Sequence, residues 1–228
     1  MSDLAVDSPD SPNCPGVVGI LGAGRAGTAF ARALLRAGYE VDIAGTRPPK
    51  ALRHHLRIYA PGAQAVDADD VAARAREQER AVVILAVPQE DLDEVEADWA
   101  DGCVMVDATN AWHHEILPDW LQRAVDTDQP TSTAIAARFP GARTVKALNH
   151  IAHADFDDIR PELPRDQRRA AGAAGDVDAD RGMVMAMLDR MGFDPVSMGP
   201  LGASRIMEPD GPLFDRRLRR EDLLRRLR

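Results

Sequence analysis

Short apolar runs alternate with longer amphipathic stretches through the first two-thirds of the chain, a pattern typical of alternating strands and helices. Six of the runs predict strands: 16–21, 39–44, 63–66, 81–87, 102–107 and 143–148. The intervening stretches predict helices at about 25–37, 50–59, 67–80, 89–99 and 131–139, and residues 108–129 read as irregular. The run 81–87 is continuously apolar, which indicates a central parallel strand buried on both faces. The whole pattern predicts an α/β fold with a doubly wound parallel sheet.

The chain after residue 150 has a different pattern and predicts an extension of that sheet. Its expected parts are a surface loop at 154–169, strands at 170–175 and 193–198, a helix at 178–191 and a basic helix at 213–228. We therefore divide the chain into a flexible tail (1–15), a nucleotide-binding domain (16–150) and a C-terminal extension (151–228). The extension is expected to pack on the sheet and to shape the site of a second substrate.

A glycine-rich turn joins the first predicted strand to the first predicted helix. It reads Gly22, Ala23, Gly24, Arg25, Ala26 and Gly27. In this order, Gly22 allows a tight turn, Gly24 lets the backbone approach a pyrophosphate, and Gly27 lets the helix lie close to the strand. The free N–H groups at the helix N-terminus favour an anion there. The turn predicts a dinucleotide site of the Rossmann type.

The residues after the second strand indicate which dinucleotide binds. An NAD site places an acidic residue about 20 positions past the glycine turn, at the end of this strand. Here that place is taken by Thr46 and Arg47, with Lys50 nearby, whereas Asp42 lies inside the strand. The hydroxyl of Thr46 and the positive charges of Arg47 and Lys50 attract the 2′-phosphate of NADP, so the sequence predicts NADP(H). The alternative is that Arg47 is a solvated arginine of the turn.

Composition and charge exclude several classes of protein. The net charge of −9 argues against a general binder of nucleic acids or anionic membranes. The two cysteines, Cys14 and Cys103, lie in unlike settings and form no disulfide framework. No signal peptide and no membrane span is expected, so the predicted location is the cytoplasm.

Six segments of the chain form a recognisable series. They are GILGAGRAGTAFARALLRAGYEVDIAGTRPP from Gly19, VVILAVP at 82–88, VDATN at 106–110, VKALN at 145–149, Ala174-Gly175-Asp176 and VSMGPLGASRIME at 196–208. Together these segments resemble the family of NADP oxidoreductases that depend on coenzyme F420. They follow the family's order over about residues 16–210. The segment NHIAHADFDD after the sixth strand, the interruption at Asp176-Val177-Asp178 and the short C-terminal helix depart from the family's pattern.

The resemblance implies roles for particular residues. Thr46 and Arg47 fall where a Ser/Thr-Arg pair takes the 2′-phosphate. Ala86, Val87 and Pro88 fall beside the nicotinamide ribose, and Asn149 falls on the loop beside the ring. Ala108 and Asn110, in the segment VDATN, are further candidate cofactor-binding residues. The resemblance also implies a homodimer and, as a second cofactor, the deazaflavin coenzyme F420.

Hydride transfer between two stacked rings needs no nucleophile and no acid–base pair. The candidate catalytic residues are Asn149 and His150, since an imidazole can bond a ring carbonyl or supply a proton near neutral pH. The alternative is that His150 and His153 belong to a structural loop. Their spacing with Asp155 and Asp157 matches no known zinc pattern, so no metal is predicted.

Three functions remain open on the sequence. The first is hydride transfer between NADPH and a deazaflavin. The second is NADPH-dependent reduction of a flavin, a quinone or a small imine or carbonyl compound. The third is a sensor that binds NADP without catalysis. The arginines of the C-terminal helix form either a solvated face or a contact for an anionic tail of the second substrate.

Overall fold

The computed structural model describes residues 16–79 and 81–227 of the chain. Its strands are β1 (Val17–Leu21), β2 (Glu40–Ala44), β3 (Gln64–Ala65), β4 (Val82–Leu85), β5 (Val104–Asp107), β6 (Arg143–Ala147), β7 (Ala170–Ala174) and β8 (Asp194–Gly199). Its α-helices are α1 (Arg25–Arg36), α2 (Pro49–Tyr59), α3 (Ala73–Arg76), α4 (Asp119–Asp126), α5 (Thr131–Arg138), α6 (Asp178–Met191) and α7 (Arg220–Arg226). The predicted tail 1–15 with Cys14, the predicted helix end at Arg80, and Arg228 lie outside the described residues.

All eight strands belong to one sheet, in the order β3-β2-β1-β4-β5-β6-β7-β8. Strands β1 to β6 are parallel, which confirms the predicted doubly wound sheet. The strand order reverses direction between β1 and β4, and in such sheets the ligand crevice lies at this point. Strand β7 is antiparallel to β6 and β8 is parallel to β7, so the two C-terminal strands extend the sheet with reversed direction. No helix among the described residues is long and apolar enough to cross a membrane.

The core lies on both faces of the sheet, as the continuous apolar run of β4 predicts. Val82 and Ile84 of β4 pack with α1, α2 and α6 on one face. Val83 and Leu85 pack on the opposite face with the segments that contain Leu92, Leu121, Ile135 and Phe139. The side chains of β4 alternate between the two faces and are all fully buried.

The predicted helix at 89–99 was wrong in type. The segment forms two 3₁₀ turns, Gln89–Glu94 and Ala97–Ala100, separated by an extended Val95. Its buried residues Gln89, Leu92 and Val95 recur every three positions, which is the period of a 3₁₀ helix rather than an α-helix.

Two further helix predictions differ from the structure. The predicted helix at 67–80 is reduced to a 3₁₀ turn (Ala68–Asp70) and the single turn α3. The predicted irregular segment 108–129 contains α4, which begins after Pro118 and buries Leu121 and Ala124 on one face. The three-residue spacing of these two apolar positions was the missed signal of a helix.

The basic helix predicted at 213–228 is α7 alone. Residues 212–215 form a turn, which Leu213 N–H anchors by donating to Ile206 O (3.1 Å). Residues 216–219 have no regular secondary structure, and Ala170 N–H at the start of β7 donates to Leu218 O (2.8 Å). The helix therefore begins only at Arg220.

Candidate cofactor cleft and active site

A cleft of about 600 Å³ opens where the strand order reverses, at the carboxyl ends of β1, β2 and β4. Eight of the residues predicted to bind the cofactor line it: Gly22, Ala23, Gly24, Thr46, Arg47, Ala86, Val87 and Pro88. Eight predicted site residues do not line it: Arg25, Ala26, Gly27, Lys50, Ala108, Asn110, Asn149 and His150. The cleft therefore joins the glycine turn, the end of β2 and the loop after β4, and leaves the ends of β5 and β6 outside.

The glycine turn is packed against its neighbours at two of its three glycines. Gly22 has a φ of +113°, and a Cβ there would lie 2.2 Å from Ala86 O. A Cβ on Gly27 would lie 1.8 Å from Gly22 O. Neither position accepts a side chain, because the obstacle in each case is backbone. These contacts set the close approach of α1 to the strands that the sequence predicted.

Gly24 differs from the other two glycines because nothing lies within 4 Å of the place where its Cβ would stand. It is the N-cap residue of α1, and no side chain caps the helix end. The N–H of Thr28 bonds to Gly24 O (3.0 Å), so the earlier N–H groups of the first turn remain free for a ligand. The open space at Gly24 is suited to a bound phosphate.

The end of β2 carries a cation and no carboxylate directed at the cleft. Thr46 and Arg47 are exposed and line the cleft. Asp42 is buried inside β2, where its Oδ1 accepts a hydrogen bond from Arg74 Nη1 (2.7 Å). Burial raises the pKa of Asp42 to about 6. Asp42 is therefore engaged in the sheet and is not a ribose ligand at the cleft.

Several lining residues were not identified from the sequence. They are Gly45, Leu52, His55, Asp91, Glu94, Val95 and Trp99, together with small apolar residues of the strand ends. His55 Nε2 lies 3.1 Å from Ala23 O, so this side chain of α2 supports the glycine turn. A Cβ on Gly45 would lie 3.0 Å from the Cβ of Ala23, which shows how closely the two turns approach. These residues lie on helix α2, on 3₁₀ turns and in loops, and none of them belongs to a recognisable motif, which is why sequence patterns did not single them out.

A buried ion pair lies at the ends of β5 and β6. Lys146 Nζ is 3.1 Å from Asp107 Oδ2, and both side chains have no solvent exposure. Lys146 Nζ also donates to Thr109 O (2.6 Å), and Ser132 Oγ donates to Asp107 Oδ2 (2.6 Å). The hydroxyl and N–H of Thr109 both donate to Asp107 Oδ1. The charges are thus paired and hydrogen-bonded, as burial requires.

This polar network continues to the loop that lines the cleft. Gln89, which directly follows Pro88, is buried and donates through Nε2 to Thr109 Oγ1 (2.8 Å) and Thr131 Oγ1 (3.2 Å). Thr131 in turn donates its N–H (2.8 Å) and its hydroxyl (2.9 Å) to Glu208 Oε1. Thr131, the first residue of α5, is therefore bonded to the C-terminal extension through both its backbone and its side chain.

Asn110 and Asn149 hold the loops after β5 and β6 together. Asn110 Nδ2 donates to Asn149 O (2.9 Å), and Asn149 Nδ2 donates to Asn110 Oδ1 (3.0 Å) and Met207 O (2.7 Å). Asn149 is buried and Asn110 half-buried, and Ala108 is also buried. These contacts bring together three segments of the resemblance: VDATN, VKALN and the stretch that ends at Glu208.

His150 lies in the interior behind these loops. Its Nε2 accepts a hydrogen bond from Gly172 N–H (3.1 Å), and only 2% of the residue is exposed. Burial, with the positive charges of Arg169 and Lys146 in support, lowers the pKa of His150 to about 3. The imidazole is neutral at physiological pH and is bonded to β7. This environment fits the structural alternative rather than a proton donor in the cleft.

The loop after β5 carries an exposed aromatic residue beside the two asparagines. Trp112 is 42% exposed and meets Phe214 edge to face, with ring centroids 5.6 Å apart. His113 Nε2 lies 3.1 Å from Asp210 Oδ2, which adds a second contact between the same two loops. Residues of the C-terminal extension thus border the loop after β5.

Comparison with protein families and solved structures supports the interpretation of the cleft as an NADP site. Residues 17–111 match the family model described as NADP oxidoreductase, coenzyme F420-dependent, which confirms the resemblance over this part of the chain. A search of curated proteins gave no match.

Solved structures are similar over most of the chain. A hypothetical protein from Sinorhizobium meliloti has a TM-score of 0.71 and 25% identity, covering 90% of this chain and 95% of that one. A candidate F420-dependent NADP reductase from Arthrobacter sp. FB24 has a TM-score of 0.65 and 22% identity, covering 90% and 99%. An imine reductase from Pseudomonas sp. has a TM-score of 0.54 and 17% identity, but this chain spans only 57% of it. The last two similarities concern the fold alone.

The Rossmann-type sheet, the glycine turn with its cleft and the family match define the class of this protein: it is an NADP-dependent oxidoreductase. Within that class, the family that residues 17–111 match is the one that depends on coenzyme F420.

Proposed function

We propose that the protein transfers a hydride between NADPH and a ring cofactor, the deazaflavin coenzyme F420. The observation that carries the NADP half of the proposal is the cleft itself. One cavity is lined both by Gly24, beside which there is open space for a phosphate, and by Thr46 and Arg47 at the end of β2. The F420 half rests on the family match and on the resemblance of the segments that the network at β5 and β6 brings together.

In this proposal the adenosine half of NADP(H) binds across the ends of β1 and β2. The free N–H groups of Arg25, Ala26 and Gly27 at the start of α1 hold the pyrophosphate. Thr46 and Arg47 hold the 2′-phosphate, and Lys50 in the first turn of α2 adds positive charge beside them.

The nicotinamide half then extends past Ala86, Val87 and Pro88 toward the ends of β5 and β6. Ala108 and Asn110 border its far end, and Asn149 keeps the two loops in register through the bonds described above. NADPH supplies a hydride when it is bound. The protein's part is to position the two rings and to exclude water, for which no proton-transfer group is needed. We assign Asn149 and His150 positioning roles: Asn149 through Asn110, and His150 through its bond to β7.

The proposal is tested by incubating the purified protein with NADPH and separate acceptors, and following absorbance at 340 nm. We expect turnover with F420. Turnover only with flavin, quinone or an imine contradicts the F420 assignment but keeps the reductase. Tight NADPH binding without turnover on any acceptor indicates a sensor and contradicts the enzymatic proposal.

The 2′-phosphate assignment is tested with Arg47→Ala. A charge-assisted contact to phosphate is worth about 1.5–3 kcal/mol, so the Kd for NADPH should rise about tenfold or more. The Kd for NADH should change little, because NADH lacks this phosphate. Arg53→Ala is the matched control, because Arg53 is an exposed arginine of α2 that does not line the cleft. An equal loss for both dinucleotides would remove the assignment.

We further propose that residues 151–228 act as an extension that completes the second-substrate side, that the protein is a homodimer and that it works in the cytoplasm. Support for the extension comes from two contacts: Met207 O accepts a hydrogen bond from Asn149 in the loop after β6, and Glu208 accepts hydrogen bonds from Thr131 at the start of α5. Light scattering after size exclusion tests the dimer, and a mass of one chain would contradict it.

A further inference from the structure

The cleft contains two carboxylates that the binding of an anionic cofactor does not explain. Asp91 and Glu94 line it, on the 3₁₀ turn Gln89–Glu94 that follows β4. They are three residues apart, and side chains at this spacing share one side of a 3₁₀ helix. The opposite sides of the turn are otherwise engaged: Leu92 is in the core, and Asp93 accepts a hydrogen bond from Trp120 Nε1 (2.8 Å).

Neither carboxylate is neutralised within the described residues. The side chains of Asp91 and Glu94 make no hydrogen bond and no ion pair there, and the arginine of the cleft, Arg47, lies at the end of β2. The charged side chains that line the cleft therefore sum to −1 if His55 is neutral. A site for a molecule with several phosphates gains nothing from this charge. Both side chains are exposed and line the cleft. A carboxylate accepts hydrogen bonds, so the part of a ligand that suits this side of the cleft is one that donates them.

The topology indicates which part of the ligand that is. Strand β1 lies between β2 and β4, so the ends of these two strands, from which the loops with Arg47 and Asp91 begin, are two strand spacings or about 10 Å apart. With the 2′-phosphate at Arg47, the base attached to the same ribose crosses this gap. The length of a purine ring plus one hydrogen bond matches this gap. The edge of the adenine ring that lies away from the ribose carries the exocyclic amino group, which therefore approaches the turn with Asp91. Val95 and Trp99 line the same cleft and offer apolar contact to the ring.

We propose that Asp91 and Glu94 recognise the exocyclic amino group of the adenine and so select an adenine dinucleotide over one with a carbonyl at that position. This inference rests on the proposed binding of NADP(H) in the cleft. The carboxylates are specificity-determining residues for the base and take no part in hydride transfer. A hypoxanthine ring presents a carbonyl oxygen instead of the amino group, which removes the donor and brings two acceptors together.

The test is direct titration of the full chain with NADPH and with its hypoxanthine analogue, deamino-NADPH, followed by fluorescence. We expect wild-type protein to bind the analogue at least tenfold more weakly, the loss typical of a charge-assisted hydrogen bond. The double variant Asp91→Asn/Glu94→Gln should bring the ratio of the two Kd values close to one, because an amide donates to the carbonyl of hypoxanthine as readily as it accepts from adenine. Glu90→Gln is the matched control, since Glu90 is exposed on the same turn but does not line the cleft, and it should leave the ratio unchanged.

Two results would overturn the inference: a wild-type ratio near one, or a ratio that the double variant leaves unchanged. If the ratio stays unchanged because both ligands bind equally more weakly, the carboxylates contact a group that the two ligands share, such as a ribose hydroxyl. If wild-type protein binds neither dinucleotide, the proposed function itself fails. Tight binding of both with a ratio near one contradicts only the role of the two carboxylates. Thermal unfolding of each variant shows whether the fold is retained.

Discussion

The glycine turn offers a pair of substitutions that separates packing from cofactor binding. Gly27→Ala places a Cβ 1.8 Å from the backbone oxygen of Gly22, so α1 must move away from β1. Gly24→Ala places a Cβ in open space, at a residue with φ −78° and ψ −165°, which alanine adopts without strain. The first variant should lose stability, and the second should lose affinity for the cofactor.

The magnitudes follow from these distances. Forcing an extra methyl into a packed region costs about 1–3 kcal/mol, and we place Gly27→Ala at the upper end because its obstacle is backbone. In a chain of this size, about 3 kcal/mol lowers the melting temperature by roughly 6–12 °C. For Gly24→Ala, a smaller entropy of the unfolded chain stabilises the fold by about 0.4–1 kcal/mol. The weaker helix cap offsets this gain, so the net change should stay within about 1 kcal/mol.

The affinity for NADPH should be affected more directly by Gly24→Ala, the variant with the smaller effect on stability. If the pyrophosphate approaches Gly24, the added methyl should raise the Kd for NADPH on the order of tenfold, or about 1.4 kcal/mol. Thermal unfolding without ligand and fluorescence titration with NADPH measure the two effects separately. Gly24→Ala with wild-type affinity would refute the placement of the phosphates, and Gly27→Ala with wild-type stability would refute the packing argument.

Two further predictions concern the interior. His150→Gln keeps an acceptor for Gly172 N–H but removes a group that titrates at about 6.5 when unfolded and at about 3 when folded. As the pH falls, the unfolded chain takes up this proton before the folded chain does. The free energy of unfolding, measured in urea, should therefore fall by about 2 kcal/mol more in the wild-type protein than in the variant between pH 7 and pH 5. An equal fall in both proteins would contradict a buried neutral His150. Lys146→Met leaves the buried carboxylate of Asp107 without its cation and should lower the free energy of unfolding by about 3–5 kcal/mol. The double variant Lys146→Met/Asp107→Asn should recover part of that loss in the same urea measurement. If the costs of the two single substitutions simply add, the two side chains are not a coupled pair.

The sequence was sufficient for the sheet and for half of the cleft. Strands β1, β4 and β5 are readable as short and largely apolar runs, and β4 shows the burial of both faces directly. Strands β2, β3 and β6 carry polar residues and are readable mainly from their place between helices. Gly22, Gly24 and Gly27 were readable because backbone geometry leaves glycine as the only solution at two of these positions. Thr46 and Arg47 followed from counting along a fold with fixed element lengths.

The other half of the cleft depends on contacts between distant parts of the chain. Asp91 and Glu94 carry no motif, and their place in the cleft depends on a 3₁₀ turn that an α-helical pattern conceals. His150 looked like a catalytic residue because histidines titrate near neutral pH, and only its burial against β7 shows that it is neutral. Glu208 became informative only when it was found beside Thr131, 77 positions away.

The buried network at β5 and β6 has a consequence for the order in which the molecule folds. Its members come from five regions of the chain, from Gln89 to Glu208, and contacts of such long sequence separation form late. A growing chain that has completed β6 still lacks Glu208, so the N–H and hydroxyl of Thr131 have no acceptor at that stage. At that stage Gln89 has Thr109 as a partner, but the bond between Thr131 and Glu208 forms only when the C-terminal extension has docked. The cleft is lined by residues within 21–99, yet the network that supports its loop is completed by residues near the end of the sequence.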